Sequence, residues 1–157
     1  MNTDFIKELY CRDILNRRKR DYLNKAKEIG RNFEIIKLSE NQIKCLERKV
    51  LSAKNIDDIS AYLIEKEKKA KPGQGWGKIY NGQTLARTIL DFITGQICDD
   101  ANQIGSIRDD IDCMDNGALN TLIESTRIRL TAEFIKYLSG CYKIGNIYQE
   151  EQPCSVN

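Results

Sequence analysis

LNTLIESTRIRLTAEFIKYLSGC, residues 119–141, places Leu119, Leu122, Ile123, Leu130, Phe134, Tyr137, Leu138 and Cys141 at steps of three, four or seven over most of its length. That recurrence gives a helix an apolar stripe which another element must cover. No proline interrupts the stretch, so it reads as the longest helix of the chain. Its start is set by Gly117 and its end by Gly145, beyond which residues 146–157, with Ile147, Tyr148 and Gln149-Glu150-Glu151-Gln152-Pro153, read as a flexible tail.

The same period recurs upstream. Residues 4–29 form one helix, carrying Cys11, Ile14, Leu15, Tyr22, Ala26 and Ile29 on one side and stopping at Gly30. Ser39 followed by Gln42 is a capping-box spacing that opens a helix through Ile43, Leu46 and Val50 to about Ala53. Asn55 caps a third helix with Ile56, Ile59, Tyr62 and Leu63, which ends in lysines before Pro72-Gly73-Gln74-Gly75-Trp76-Gly77. A fourth begins near Asn81 and runs to about Asn102 with Leu85, Ile89, Phe92, Ile93 and Ile97 along its stripe; Gly105 and Ser106 interrupt it before a short continuation at Ile107, Ile111 and Met114. The expectation is an all-α, single-domain helical bundle of about five helices over residues 1–145, its short connections favouring antiparallel neighbours.

With 157 residues, 41% hydrophobic and 31% charged, the chain can bury a core without disulfides or metals. No apolar run is long enough to span a bilayer and the N-terminus lacks a signal-peptide pattern, so a cytoplasmic protein is expected, with no membrane partner. The six cysteines contain no CxxC pair, which excludes a local zinc ribbon or redox motif and leaves most of them as small buried hydrophobes. Cys154 stands four residues from the end in the outline of a prenylation box, but Ser155 and the terminal Asn157 fit that box poorly.

Two totals bear on function. There is no histidine, which removes the usual proton shuttle and the commonest metal ligand. Residues 1–71 hold 18 Lys/Arg against 12 Asp/Glu, a net of +6, while residues 72–157 hold 7 against 11, a net of −4. Together they favour binding over catalysis, and no cofactor, metal or catalytic residue is expected.

The densest positive cluster is Arg17-Arg18-Lys19-Arg20, joined on the same helix by Arg12, Lys25, Lys27 and Arg31. Helical residues fan out by about 100° each, so two or three of the four can meet a phosphate track. Pairing with Asp13, Asp21 and Glu28 is the competing outcome. A second cluster, Lys66, Lys68, Lys69, Lys71 and Lys78, surrounds three glycines and Trp76, whose ring could stack on a base while the ammoniums meet phosphates; burial of Trp76 in the core is the alternative. The glycine loop fails the phosphate-loop pattern, because Pro72 stands where a glycine is required and Ile79 where a Ser or Thr is required. Asp99, Asp100, Asp109, Asp110, Asp112 and Asp115 do not fit a calcium loop and read as a solvated acidic face, or as the patch through which copies stack head to tail.

The string Asn81-Gly82-Gln83-Thr84-Leu85-Ala86 leading into Ile89, Leu90 and Phe92 resembles a helix start in the small all-helical subunit of type III-B (Cmr) CRISPR effector complexes. Leu122-Ile123-Glu124-Ser125-Thr126-Arg127, followed by Leu130, Glu133, Phe134, Tyr137 and Leu138, is similar to that family's C-terminal helix, and Arg17-Arg18-Lys19-Arg20-Asp21-Tyr22 to its basic N-terminal helix. The patches cover about half the chain, and the segment 72–77 has no counterpart. The resemblance implies a non-catalytic subunit of an antiviral ribonucleoprotein that stacks with other subunits and lines the guide RNA and target duplex, with Arg17, Arg18, Lys19 and Arg20 on the backbone. The alternatives are an adaptor bundle that ignores nucleic acid and, ranked last, an enzyme using carboxylates or a thiolate.

Overall fold

The computed structural model describes residues 3–32 and 40–151. Helix α1 (Thr3–Asn32) is followed by α2 (Glu40–Ser52) and α3 (Ile56–Lys69). A 3-10 turn (Gly75–Gly77) and a small hairpin, β1 (Ile79–Tyr80) with β2 (Gln83–Thr84), lead into α4 (Leu85–Phe92). That helix continues through a π turn (Ile93–Ile97) into α5 (Cys98–Asn102) and a 3-10 stretch (Gln103–Asp109), forming one rod before α6 (Asn116–Glu151). Counted as rods, these make the five-helix, all-α bundle that the periodicity predicts. Among the described residues no helix is long and apolar enough to cross a membrane.

Several boundaries move for physical reasons. Gly30 does not stop α1, which runs on to Asn32 against α6; a Cβ at this position would make an ordinary contact 3.5 Å from Cys141 Cβ. Asn81 is not a helix start. Asn81 (φ 51°) and Gly82 (φ 79°) form the tight turn that pairs Ile79 with Thr84 and Tyr80 with Gln83, and α4 begins only after Thr84 caps it by accepting from Arg87 N at 3.1 Å. Gly105 and Ser106 do not break the rod but tighten it to 3-10. Ile111 and Met114 lie outside any helix, and α6 runs past Gly145 to Glu151. The Asn55 cap is as predicted, with Oδ1 accepting from Asp58 N at 3.0 Å. Ser39, and the tail from residue 152 with Pro153 and Cys154, lie outside the described residues.

The centre is built by α1, α6 and the rod. Glu8 meets Arg129, Tyr22 meets Phe134 and Gly30 faces Cys141, so the first and last helices run the same way. The rod runs against both: Tyr10 reaches Asp110, Arg17 reaches Gln103 and Arg18 reaches Asp100, while Asn102 meets Arg127. One ring from each element fills the middle. Tyr22 and Phe92 meet edge-on with centroids 5.8 Å apart, and Phe92 and Phe134 lie 4.6 Å apart, a geometry favourable for aromatic quadrupoles. Ile14, Ile93, Ile97, Ile104 and Leu130 close the core around them.

At the edge of this contact Arg129 grips Glu8 with two nitrogens at 2.6 and 2.7 Å. Hydrogen bonding from Arg129, opposed by desolvation and helped by its charge and by Arg12, pulls the Glu8 carboxyl down to about 2.

Candidate nucleic-acid interface

The four residues of the basic run do not share one role. Arg17 Nε lies 3.1 Å from Asp13 Oδ2 and a terminal nitrogen donates to Gln103 Oε1 at 2.8 Å, which ties α1 to the rod. Arg18 is drawn inward, its side chain 32% exposed: Nε sits 3.1 Å from Asp100 Oδ1 and a terminal nitrogen 3.5 Å from Asp21. The Nε–H does not line up for a hydrogen bond, so the Asp100 contact is an ion pair by charge alone. Arg17 and Arg18 are therefore structural cations, neutralised by the chain's own acids as the competing outcome foresaw.

Asp100 explains why. It is 1% exposed, contrary to its reading as part of a solvated face, and it accepts from Tyr22 OH at 2.8 Å and from Gln96 Nε2 at 2.9 Å. A buried carboxylate requires such partners. Burial first, then the bond to Asp100, raises the pKa of the Tyr22 phenol far above its ordinary value.

Lys19 and Arg20 remain exposed and, among the described residues, form no ion pair; the same holds for Lys27 and Arg31 on the same helix. Arg20, Lys27 and Arg31 are spaced by seven and four residues, which returns them to one face, while Lys19, one residue before Arg20, points about 100° away and flanks that face. From Lys19 to Arg31 the ridge extends about 18 Å at 1.5 Å per residue. Sequence reading had these residues in a basic helix; the seven-and-four spacing is the signal that separates a track from a cluster. Lys25 is set apart, held 3.5 Å from Glu28 and over the Phe92 ring.

The second cluster sits where α3 ends. Lys66 lies over the Tyr62 ring at 5.4 Å, Lys69 pairs with Glu65 at 2.5 Å, Lys78 is half-buried, and Lys68 and Lys71 are exposed without an ion pair among the described residues. Trp76 is 2% exposed and part of the core, so it offers no face for a base to stack on. The loop that seats it is tightly specified. Gly73 (φ 76°) and Gly75 (φ 51°) adopt backbone that favours glycine, and a Cβ on Gly77 would lie 2.9 Å from the Lys71 carbonyl oxygen. The cluster on α3 lies on a helix packed against α4, α2 and the 3-10 turn, whereas α1 packs against α6 and the far end of the rod, so the two clusters sit on different packing layers.

Asp99, Asp109, Asp110, Asp112 and Asp115 are exposed. Asp110 accepts from Tyr10 OH, and Asp115 accepts from Ala118 N at 2.7 Å at the start of α6. The bond to Asp110, with desolvation next, raises the Tyr10 pKa. Among the described residues no group of three or more Cys, Asp or Glu is gathered to hold a metal ion. Cys11, Cys45, Cys98, Cys113 and Cys141 are all free thiols. Cys11 is buried, Cys45, Cys98 and Cys141 are half-buried and Cys113 is exposed; burial pushes the thiol pKa up at Cys11, Cys98 and Cys141, the opposite of what a nucleophile requires.

No family model, no curated protein and no solved structure matches this chain.

Proposed function

We propose that this chain is a non-catalytic nucleic-acid-binding subunit of a cytoplasmic ribonucleoprotein defence complex, contacting the sugar-phosphate backbone from α1. The observation that carries the reading is the ridge of Arg20, Lys27 and Arg31 flanked by Lys19, four exposed cations that form no ion pair among the described residues. Phosphate contacts of this kind fix the register of a strand without reading its sequence. The Cmr small-subunit resemblance narrows the assembly to a type III CRISPR effector, in which guide RNA and target would be the polyanion. The acidic end at Asp109 to Asp115 would supply the patch for neighbouring subunits or for a second copy.

Binding of a single-stranded RNA measured by fluorescence anisotropy should weaken steeply with salt, with a log–log slope of about −3 if all four cations each neutralise one phosphate. Lys19→Ala/Arg20→Ala/Lys27→Ala/Arg31→Ala should bind weakly and with a shallow slope, whereas Arg17→Ala should change the slope little. Absence of binding at low salt would remove the reading.

The second reading is an adaptor bundle that does not meet nucleic acid. In its favour stands an apolar cleft between α2 and α6, lined by Val50, Leu51, Ala132 and Ile135, in which Leu51 is 77% exposed. Light scattering with and without RNA separates the two, because an adaptor's particle size would not respond to RNA.

A further inference from the structure

Where α3 ends, a cleft of about 330 Å³ is lined by Gln42, Lys66, Lys69, Lys71, Gln74 and Trp76, besides Ala70 and Gly75. Among the described residues no carboxylate lines it. Its polar side chains are three ammoniums, two amides and one indole. Trp76 forms part of the wall, and its Nε1–H has no acceptor among the described residues, an uncommon state for a buried donor. The donor set is also held in place: Lys66 by the Tyr62 ring, Lys69 by Glu65, and Gln74 with Trp76 by the glycine backbone on either side.

The two basic surfaces therefore differ in the anion they suit. A ridge of single charges along a helix matches a run of diesters, each with one negative charge. Two ammoniums without an ion pair among the described residues, Lys66 and Lys71, with Lys69 shared with Glu65 beside them, gather around one concave spot and match a group that concentrates its charge; a phosphate monoester carries about −1.5 to −2 at pH 7 on three terminal oxygens. We propose that this cleft binds a phosphate monoester, the group carried by the 5′ end of a nucleic-acid strand and by a free nucleotide. The inference deepens the nucleic-acid reading and rests on it, adding recognition of a strand's end to recognition of its run.

Trp76 is the only tryptophan, so its fluorescence reports on the cleft directly. The full chain is titrated with a 5′-phosphorylated oligoribonucleotide, with the same oligonucleotide bearing a 5′-hydroxyl, with adenosine monophosphate and with adenosine. The phosphorylated strand should bind about tenfold tighter than the hydroxyl strand, the yield of one net charge-assisted hydrogen bond. That preference should vanish in Lys66→Gln/Lys71→Gln, which keeps its helical circular dichroism and its affinity for the hydroxyl strand. It should also fade as pH falls from 7.5 to 5.5, because the monoester takes up its second proton near pH 6.

A fluorescence response to adenosine monophosphate but not adenosine supports the site with a free nucleotide as source. A response to the phosphorylated strand alone supports it with the strand end as source. Equal affinities for the two strands and no response to adenosine monophosphate would overturn the cleft and leave the ridge standing. A preference that survives in Lys66→Gln/Lys71→Gln would also overturn it. Failure of both strands to bind while adenosine monophosphate does would overturn the ridge and leave the cleft.

Discussion

Buried Tyr22 and Asp100, with half-buried Arg18 and exposed Gln96, form a polar knot that runs from the core to the surface, and the knot determines which arginine of the basic run is drawn inward. Asp100 is the hub, because its two oxygens accept from the phenol and the amide and face the Arg18 guanidinium. Tyr22→Phe should cost about 1.5–3 kcal/mol, the range for a hydrogen bond to a charged group. Asp100→Ala should cost more, about 3–5 kcal/mol, since it strands a buried phenol and a half-buried guanidinium together. The alkaline limb has a definite sign. Tyr22 keeps its proton in the folded chain above the ordinary tyrosine value of about 10, so its contribution is intact below that pH and is lost as pH rises further. Urea unfolding should therefore show the stability gap between the wild-type chain and Tyr22→Phe narrowing from pH 8 to pH 10.5; a constant gap would refute the assignment. Sequence could show Asp13 and Asp21 as local partners for the basic run, because three- and four-residue spacings are visible in one dimension. It could not show that Asp100, written among exposed acids, turns inward to take Arg18 with it.

At the scale of elements, what was legible followed apolar period and what was missed followed backbone detail. Stripes as regular as Ile14, Tyr22, Ala26 and Ile29, or Leu130, Phe134 and Leu138, fix a helix and its buried face together. Two-residue strands carry no period at all, so the apolar pattern puts Gln83–Thr84 inside a helix from Asn81 and leaves Ile79–Tyr80 unassigned, although Asn81-Gly82 is a hairpin signal. The π turn at Ile93–Ile97 is equally silent, because its residues keep the apolar spacing of the rod. Glycines mislead for the same reason: the sequence makes Gly30 a stop and Gly105 an interruption, whereas the structure runs helix through both and shows which glycines lack room for a side chain. A Cβ on Gly77 would collide with the Lys71 carbonyl at 2.9 Å and crowd Ala70 Cβ at 3.2 Å, whereas one on Gly95 meets nothing within 4 Å. Gly77→Ala should then lose about 1–3 kcal/mol and disturb Trp76 fluorescence. Gly95→Ala should gain about 0.5–1 kcal/mol with fluorescence unchanged. Thermal melts of the pair decide it, and a harmless Gly77→Ala would show that the loop seating Trp76 is loose.

Across the whole molecule the charge split becomes a direction in space. Tyr10 holds Asp110, so the acidic segment lies near the start of α1, while Lys19, Arg20, Lys27 and Arg31 occupy its later turns. From Tyr10 to the middle of the ridge is about 22 Å of helix, well over two Debye lengths at physiological salt and less than one at 0.01 M. At physiological salt the two ends therefore do not compensate each other within one chain, and a second copy can set its acidic end in direct contact with the ridge of the first, closer than the roughly 22 Å that separates them within a chain. A heterologous contact of this kind does not close on itself and would grow by addition. Sedimentation velocity at low salt should show species larger than the monomer, dissolving as salt is raised towards 0.3 M. Asp109→Asn/Asp112→Asn, which leaves the Tyr10 partner and the start of α6 intact, should suppress the association as fully as Lys19→Ala/Arg20→Ala/Lys27→Ala/Arg31→Ala. Single-stranded RNA should disperse it as well, since the strand and the neighbour's carboxylates compete for the same four cations. A chain that stays monomeric at every salt concentration, or one whose association survives both variants, would show that the two ends never meet.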